Sequence, residues 1–345
     1  MTSRQRLITA MKLGRPDRVP VAPFVHPGWF DLAGEVGQAI WREADPLIDV
    51  GVGGGDLFLG QAAHVEHREE GNGQHTVLHT PLGPLTATRV RTEKTSAQTE
   101  FFFKHPEDIE RFLSLPYVEP DPDPSGFLEW KARVGEEGLV LAGIADGICL
   151  PAGYASPEHF CLLWADAPEL MERLVRLGSE RACTWARKAA AAGVDAFRII
   201  GGEYVSVQLG PRAFARLAVP YDAELVSVMH AGGALAYYHN HGRLGAVLPL
   251  LGQIGIDALD PVEGPPCGDV ELDQVKAAIG DRVCLVGNLD DMMVLSQVSE
   301  QEALARGRRC LEQGGPEGYI LGGTASGLYT DRMAANFLAL ARMAR

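Results

Sequence analysis

Apolar runs that end in charged or polar residues recur along this chain and alternate with stretches of helical period. The runs are "VPVAPFV" (19–25), "GVGGGDLFL" (51–59), "LVLAGIADG" (139–147), "FRIIGGEY" (197–204), "ALAYYHNHG" (234–242), "IDALDPVEG" (256–264), "VCLVGNLD" (283–290) and "GYILGGTAS" (318–326). Continuous apolar strands separated by helices are the pattern of a parallel sheet covered on both faces. A repeated unit supports this. "AGVDAFRII" (192–200) is echoed by "IGIDALD" (254–260), each reading as a helix end, a capping glycine and a buried strand. Eight such strands favour one closed (β/α)8 barrel over residues 1–345 rather than an open doubly wound sheet.

One stretch departs from the rhythm. From about His75 to Phe103, Thr and Val alternate around a Leu-Gly turn, which predicts a β-hairpin inserted between the second and third barrel strands near the barrel mouth. "LPYVEPDPDPSG" (115–126) reads as a Pro/Asp-rich loop and does not divide the chain.

At 46% hydrophobic and 22% charged, the chain has the composition of a globular protein. A formal charge of -14 without a dense Lys/Arg run argues against nucleic acid and anionic membrane surfaces as partners. The opening twenty residues lack the apolar core of a signal peptide, and no segment reaches the ~20 apolar residues of a membrane span, so a cytoplasmic protein is expected. Six scattered cysteines without CxxC spacing read as reduced thiols.

In a barrel the chemistry gathers at the C-terminal ends of the strands. Those ends supply His26, Asp146, Glu203, Tyr204, His239, His241, Asp260, Glu263, Asn288, Asp290, Thr324 and Ser326. Period-two alternation sends His239 and His241 to one side, where two neutral imidazoles can share a metal. Glu203, on the preceding strand, is the carboxylate chosen to complete the set, and His/His/Glu suits Zn²⁺ or another divalent transition metal. The alternative is two histidines hydrogen-bonded at a strand end. Asp146, Tyr204 and Asp260 are candidate proton-handling groups, though Asp146 and Asp260 equally suit turn-capping. His26, Glu263, Arg243 and Ser326 are candidate substrate contacts, Arg243 being the best-placed arginine for an acidic group. Cys267 follows in the same Pro/Gly loop as Glu263. "GVGGGD" (51–56) lacks the Lys-Ser/Thr of a P-loop, and "GGTASG" (322–327) is the better anion candidate.

The segments "SRQRLITAMKLGRPDRVPVAP", "HNHGRLGAVLPLLGQIGIDALDPVEGPPCGDVELDQVKAAIGDRVCLVGNLD" and "GGPEGYILGGTASGLYTDRMAANFLALAR" resemble the uroporphyrinogen decarboxylase superfamily along nearly the whole chain. The resemblance implies a (β/α)8 barrel. True decarboxylases of that group carry Arg-x-Ala-Gly-Arg after the first strand. "PFVHPGWFDLAGEV" stands there instead, so the arginine clamp for a polycarboxylate is absent. The zinc-dependent methyltransferases acting with corrinoid proteins carry His-x-Cys-Gly and a last-strand Cys. "HNHG" aligns with the first motif, placing His241 on a Cys, and Ala325 falls on the second.

The resemblance therefore implies a metal-dependent methyltransferase or demethylase acting on a small methylated substrate, with a corrinoid carried by a partner protein, or a folate, as the other methyl carrier and a homodimeric assembly. A harder His/His/Glu set suits an oxygen-bearing substrate better than thiol activation. The alternatives are a metal-free decarboxylase of a porphyrinogen-like or smaller carboxylate, and a non-catalytic binding barrel.

Overall fold

The computed structural model describes residues 1–28, 34–93, 95–324 and 330–345. In chain order its strands are β1 (Val21–Ala22), β2 (Phe24–Val25), β3 (Leu47–Gly51), β4 (His64–Glu70), β5 (Gly73–His79), β6 (Leu85–Arg91), β7 (Ser96–Glu100), β8 (Leu139–Ala145), β9 (Ala196–Ile200), β10 (Leu235–His239), β11 (Ala258–Asp260), β12 (Cys284–Asn288) and β13 (Tyr319–Gly322). Nine of them form one parallel sheet in the order β1-β13-β12-β11-β10-β9-β8-β3-β2. Pro23 separates β1 from β2. The first half pairs with β13 (Val21 with Leu321) and the second with β3 (Phe24 with Leu47), so the two ends of the sheet meet in one broken strand and the barrel closes there. The (β/α)8 expectation is met.

Alternation sorts the side chains. Ala22, Phe24, Leu47, Leu139, Leu141, Ala196, Leu235, Tyr237, Ala258, Cys284, Val286 and Ile320 pack together inside the barrel. Their neighbours in sequence, such as Ile48, Val140, Phe197, Ala236, Tyr238, Leu259 and Leu285, join the larger cluster shared with the helices. The N-terminal helix Ser3–Met11 adds Leu7, Ala10 and Met11 to the interior cluster, plugging the end of the barrel opposite the candidate site. Its capping box, Thr2 with Gln5, satisfies the amides that open it.

An ion network fastens this plug. Asp45 is fully buried and accepts hydrogen bonds from Arg6 (2.6 Å), Arg18 (2.7 and 3.1 Å) and the backbone N–H of Val21 (3.0 Å). It thus ties the first helix to the closing strand.

Two expectations need correction. The second barrel strand is Leu47–Gly51 rather than 51–59; the glycine run after it is a turn region in which Gly54 and Gly55 have positive φ. The insertion is a four-stranded antiparallel sheet, β4 to β7, instead of a hairpin over 75–103. Its first turn, Gly71-Asn72, needs the left-handed conformation that Gly71 adopts at φ +61°. Leu78, Leu85 and Ala87 face the protein, and the other face is polar and open. Because it follows β3, the sheet rises from the same end of the barrel as the βα loops. Among the described residues no helix is long and apolar enough to cross a membrane, and all six cysteines are free.

Candidate active site

β10 sets the geometry. Leu235, Tyr237 and His239 alternate into the barrel, with His239 in register between Ile200 of β9 and Asp260 of β11. Its Nδ1 lies 3.0 Å from Asp260 Oδ1, with both groups buried. Two residues on, His241 Nδ1 lies 3.1 Å from Glu263 Oε1, while Glu263 Oε2 accepts the N–H of Gly242 (2.7 Å). The imidazole centroids are 4.4 Å apart, with the planes at 87°.

An ionised carboxylate can only accept, so in the neutral imidazole each Nδ1 carries the proton and each Nε2 the lone pair. Among the described residues neither Nε2 has a hydrogen-bond partner. Carboxylate, imidazole and free nitrogen in sequence are the arrangement by which proteins orient metal-binding histidines. Burial lowers the His241 pKa, but the hydrogen bond and charge of Glu263, together with Asp260 and Glu203, outweigh it and leave the imidazole raised.

The remaining polar groups of the mouth come from strands that alternation turns inward. Arg198 on β9 is buried, its guanidinium 4.7 Å from the Phe24 ring centroid and 3.4 Å from Asp49 Oδ2 on β3. Burial raises the Asp49 pKa against the pull of Arg198, His26 and His239. Asp49 Oδ1, Arg198 Nε and Asp260 Oδ2 are buried without a hydrogen bond. Buried polar atoms are ordinarily paired, so these three are unsatisfied groups of the barrel interior. His26 is exposed and stands edge-on to Phe24 at 6.2 Å.

Other expected residues sit elsewhere. Glu203 opens the helix Glu203–Gln208, and His239, His241 and Glu203 do not form a set of ligand atoms mutually within 4.8 Å. Asp146 is fully buried behind the mouth; its carboxylate accepts from the backbone N–H groups of Ile148 (3.1 Å), Cys149 (2.6 Å) and Gly202 (2.8 Å). That is the capping alternative, and it occupies both oxygens. Tyr204 is half-buried against Phe160, with its hydroxyl pKa raised chiefly by burial. Arg243 is exposed on the loop after His241. Cys267 is exposed, 3.6 Å from Asp290, whose carboxylate also caps Met292 and Met293. Thr324 is buried and accepts from the N–H of Asp291. Ser326 and the second half of "GGTASG" (325–327) lie outside the described residues.

Sequence reading missed Asp49 and Asp222. Asp222, buried in the helix Val219–Ala231, accepts from the Tyr238 hydroxyl (2.6 Å) and couples to Asp146. Burial raises Asp146 to about 6 and Asp222 well above the usual carboxylate range. Folding thus favours the protonated acids. The stabilisation is complete below about pH 4 and is lost as pH rises through about 6, worth about 3 kcal/mol for Asp146 alone. Asp222→Asn can donate to Asp146 while accepting from Tyr238. Urea midpoints measured from pH 4.5 to 7.5 should fall in the wild type and fall less steeply in the variant, where Asp146 alone still titrates; equal slopes would contradict a contribution from Asp222.

The profile of the uroporphyrinogen decarboxylase (URO-D) family matches residues 139–345. The methylcobamide:CoM methyltransferase MtaA of Methanosarcina barkeri is 22% identical over 324 residues, which are 91% of this chain and 90% of that protein. Among solved structures, a methyltransferase from Methanosarcina mazei superposes with a TM-score of 0.67 at 16% identity, covering 99% of this chain and 98% of its own. A B12-independent methionine synthase from Shewanella sp. W3-18-1, in complex with selenomethionine, gives 0.52 at 12% identity over 95% and 97%. With the matching profile spanning more than half of its length, including the strands that carry both histidines, the chain belongs to the uroporphyrinogen decarboxylase family.

Proposed function

We propose that this protein is a methyltransferase of the URO-D family that works at the barrel mouth on a small methylated substrate. A divalent metal, zinc by donor chemistry, would be held by His239 and His241. The observation that carries the reading is the pair of imidazoles, 4.4 Å apart between centroids, each held through Nδ1 by its own carboxylate. Its likeness over nearly the whole chain to a protein named for methyl transfer from a methylcobamide to coenzyme M supports the reaction class. It also supports a corrinoid, carried by a partner protein, as the other methyl carrier.

Bound there, the metal would supply Lewis acidity to a substrate oxygen or sulfur. Asp260 and Glu263 hold the two rings in the required tautomer. Asp260 Oδ2 and Asp49 Oδ1, which carry no hydrogen bond, would accept hydrogens from a substrate reaching them, and Arg198 Nε would donate one. Tyr204, kept protonated, is a further donor at the rim. One observation favours a second reading, decarboxylation of a small carboxylate: Arg198 has an unused donor in the mouth. Asp49 already faces that guanidinium, however, which weakens its attraction for a second anion.

The test combines metal analysis with turnover. Protein prepared without chelator or nickel resin is expected to hold one zinc or iron more per chain than the His239→Ala/His241→Ala variant, which loses the ion at the mouth. Wild-type protein should demethylate methylcobalamin in the presence of a suitable thiol or oxygen acceptor. Equal metal in both proteins, or carbon dioxide release from carboxylate substrates without methyl transfer, would overturn the reading. Tight ligand binding without turnover would leave a non-catalytic barrel.

A further inference from the structure

The outer face of the inserted sheet carries a second histidine cluster. β4 and β5 pair so that His64 stands directly opposite His79, and Glu66, two residues along β4, shares their face. The two imidazoles stack at 4.6 Å between centroids, with their planes 19° apart, and His79 Nε2 lies 3.1 Å from Glu66 Oε1. Arg68 takes the other carboxylate oxygen, Oε2, at 3.2 Å. Among the described residues, this is the one group of three His, Cys, Asp or Glu side chains whose ligand atoms all lie within 4.8 Å of one another.

We propose that His64, His79 and Glu66 form a binding site for a divalent transition-metal ion that staples β4 to β5. Two imidazoles and one carboxylate oxygen suit Zn²⁺, Ni²⁺ or Cu²⁺ far better than Mg²⁺ or Ca²⁺, which prefer all-oxygen sets. Ligand distances of about 2.0–2.2 Å require donors roughly 3.3 Å apart. Small rotations of three solvent-facing side chains close the present spacing without moving the backbone. The fourth position opens to solvent, so water or an outside donor completes the ion. Arg68 orients Glu66 so that Oε1 is the oxygen offered.

The mechanical effect follows from topology. β4 is an edge strand of the four-stranded sheet, bonded to one neighbour only. An ion held from both sides of the β4–β5 pair favours the paired state by mass action, since the separated strands cannot bind it as well. The site is independent of the barrel mouth and does not rest on the function proposed above.

The experiment titrates Zn²⁺ into chelator-stripped, full-length protein carrying His239→Ala/His241→Ala, so that the mouth cannot contribute. One equivalent should bind, and His64→Ala or His79→Ala should weaken it by roughly tenfold or more, at least as much as the loss of an outer partner costs a metal site. Hydrogen exchange of the β4 amides should slow on adding Zn²⁺. His67 lies on the opposite face of β4, so His67→Ala is the control. Binding unchanged in His64→Ala/His79→Ala, or equally weakened by His67→Ala, would reduce the cluster to ordinary surface histidines and overturn the proposal. All three residues are solvent-facing, so the variants should fold.

Discussion

Asp45→Ala should destabilise the protein by about 3–5 kcal/mol, the cost of removing one partner from a buried ion network. The carboxylate is fully buried and serves three donors at once: Arg6, Arg18 and the backbone N–H of Val21. Without it, the Arg18 guanidinium loses its ionic partner and Arg6 keeps only Asp17, which is far more exposed. Val21 belongs to the strand that shuts the barrel, so the loss also loosens the seam between β1 and β13. Urea unfolding followed by circular dichroism measures the effect. Asp45→Asn, which retains an acceptor but no charge, should fall between the two. A loss under 1 kcal/mol for the alanine variant would mean that water replaces the carboxylate without penalty.

The second large effect concerns the mouth. His239→Ala should abolish methyl transfer and the binding of metal at the mouth, because the single nitrogen left on His241 cannot hold an ion against solvent. Asp260→Asn should cost 10- to 100-fold in metal affinity or turnover, roughly the range for an outer carboxylate that orients a ligating imidazole. The amide can still accept from His239 Nδ1 but lacks the charge that strengthens the bond. Folding is monitored in parallel, since Asp260 is itself buried. Metal affinity unchanged in Asp260→Asn would remove the aspartate from the site.

The barrel was legible because each buried parallel strand is a run of apolar residues with a distinct end. "ALAYYHNHG" and "VCLVGNLD" enclose β10 and β12 for that reason. The second strand was misplaced because "LIDVG" is short and carries an aspartate, while the following glycines and "DLFL" imitate a strand with a loop before it. Asp49 was lost with it. The first half of the inserted sheet was missed because β4, "HVEHREE", is polar on both faces, and only the Gly-Asn turn betrays a hairpin. His239 pairs with Asp260 and His241 with Glu263, carboxylates read from the sequence as a proton-handling group and a substrate contact rather than as partners of the histidines. Glu203, read as a strand-end residue, opens the helix Glu203–Gln208 instead. Sequence fixes which strand end a residue occupies but not where the next helix starts.

The break at Pro23 also bears on when the fold can form. A ribosome delivers the chain from its N-terminus, and Val21 has to wait for Leu321 before its half of the strand has a partner. Until then the growing sheet has an open edge on either side, the feature that invites pairing with another chain. The inserted sheet, whose contacts are local, can assemble early; the ring itself is among the last things made. A nascent chain stalled before β13 is therefore a natural client for chaperones, and pulse-labelled synthesis should find protease resistance in the insertion well before the barrel acquires it.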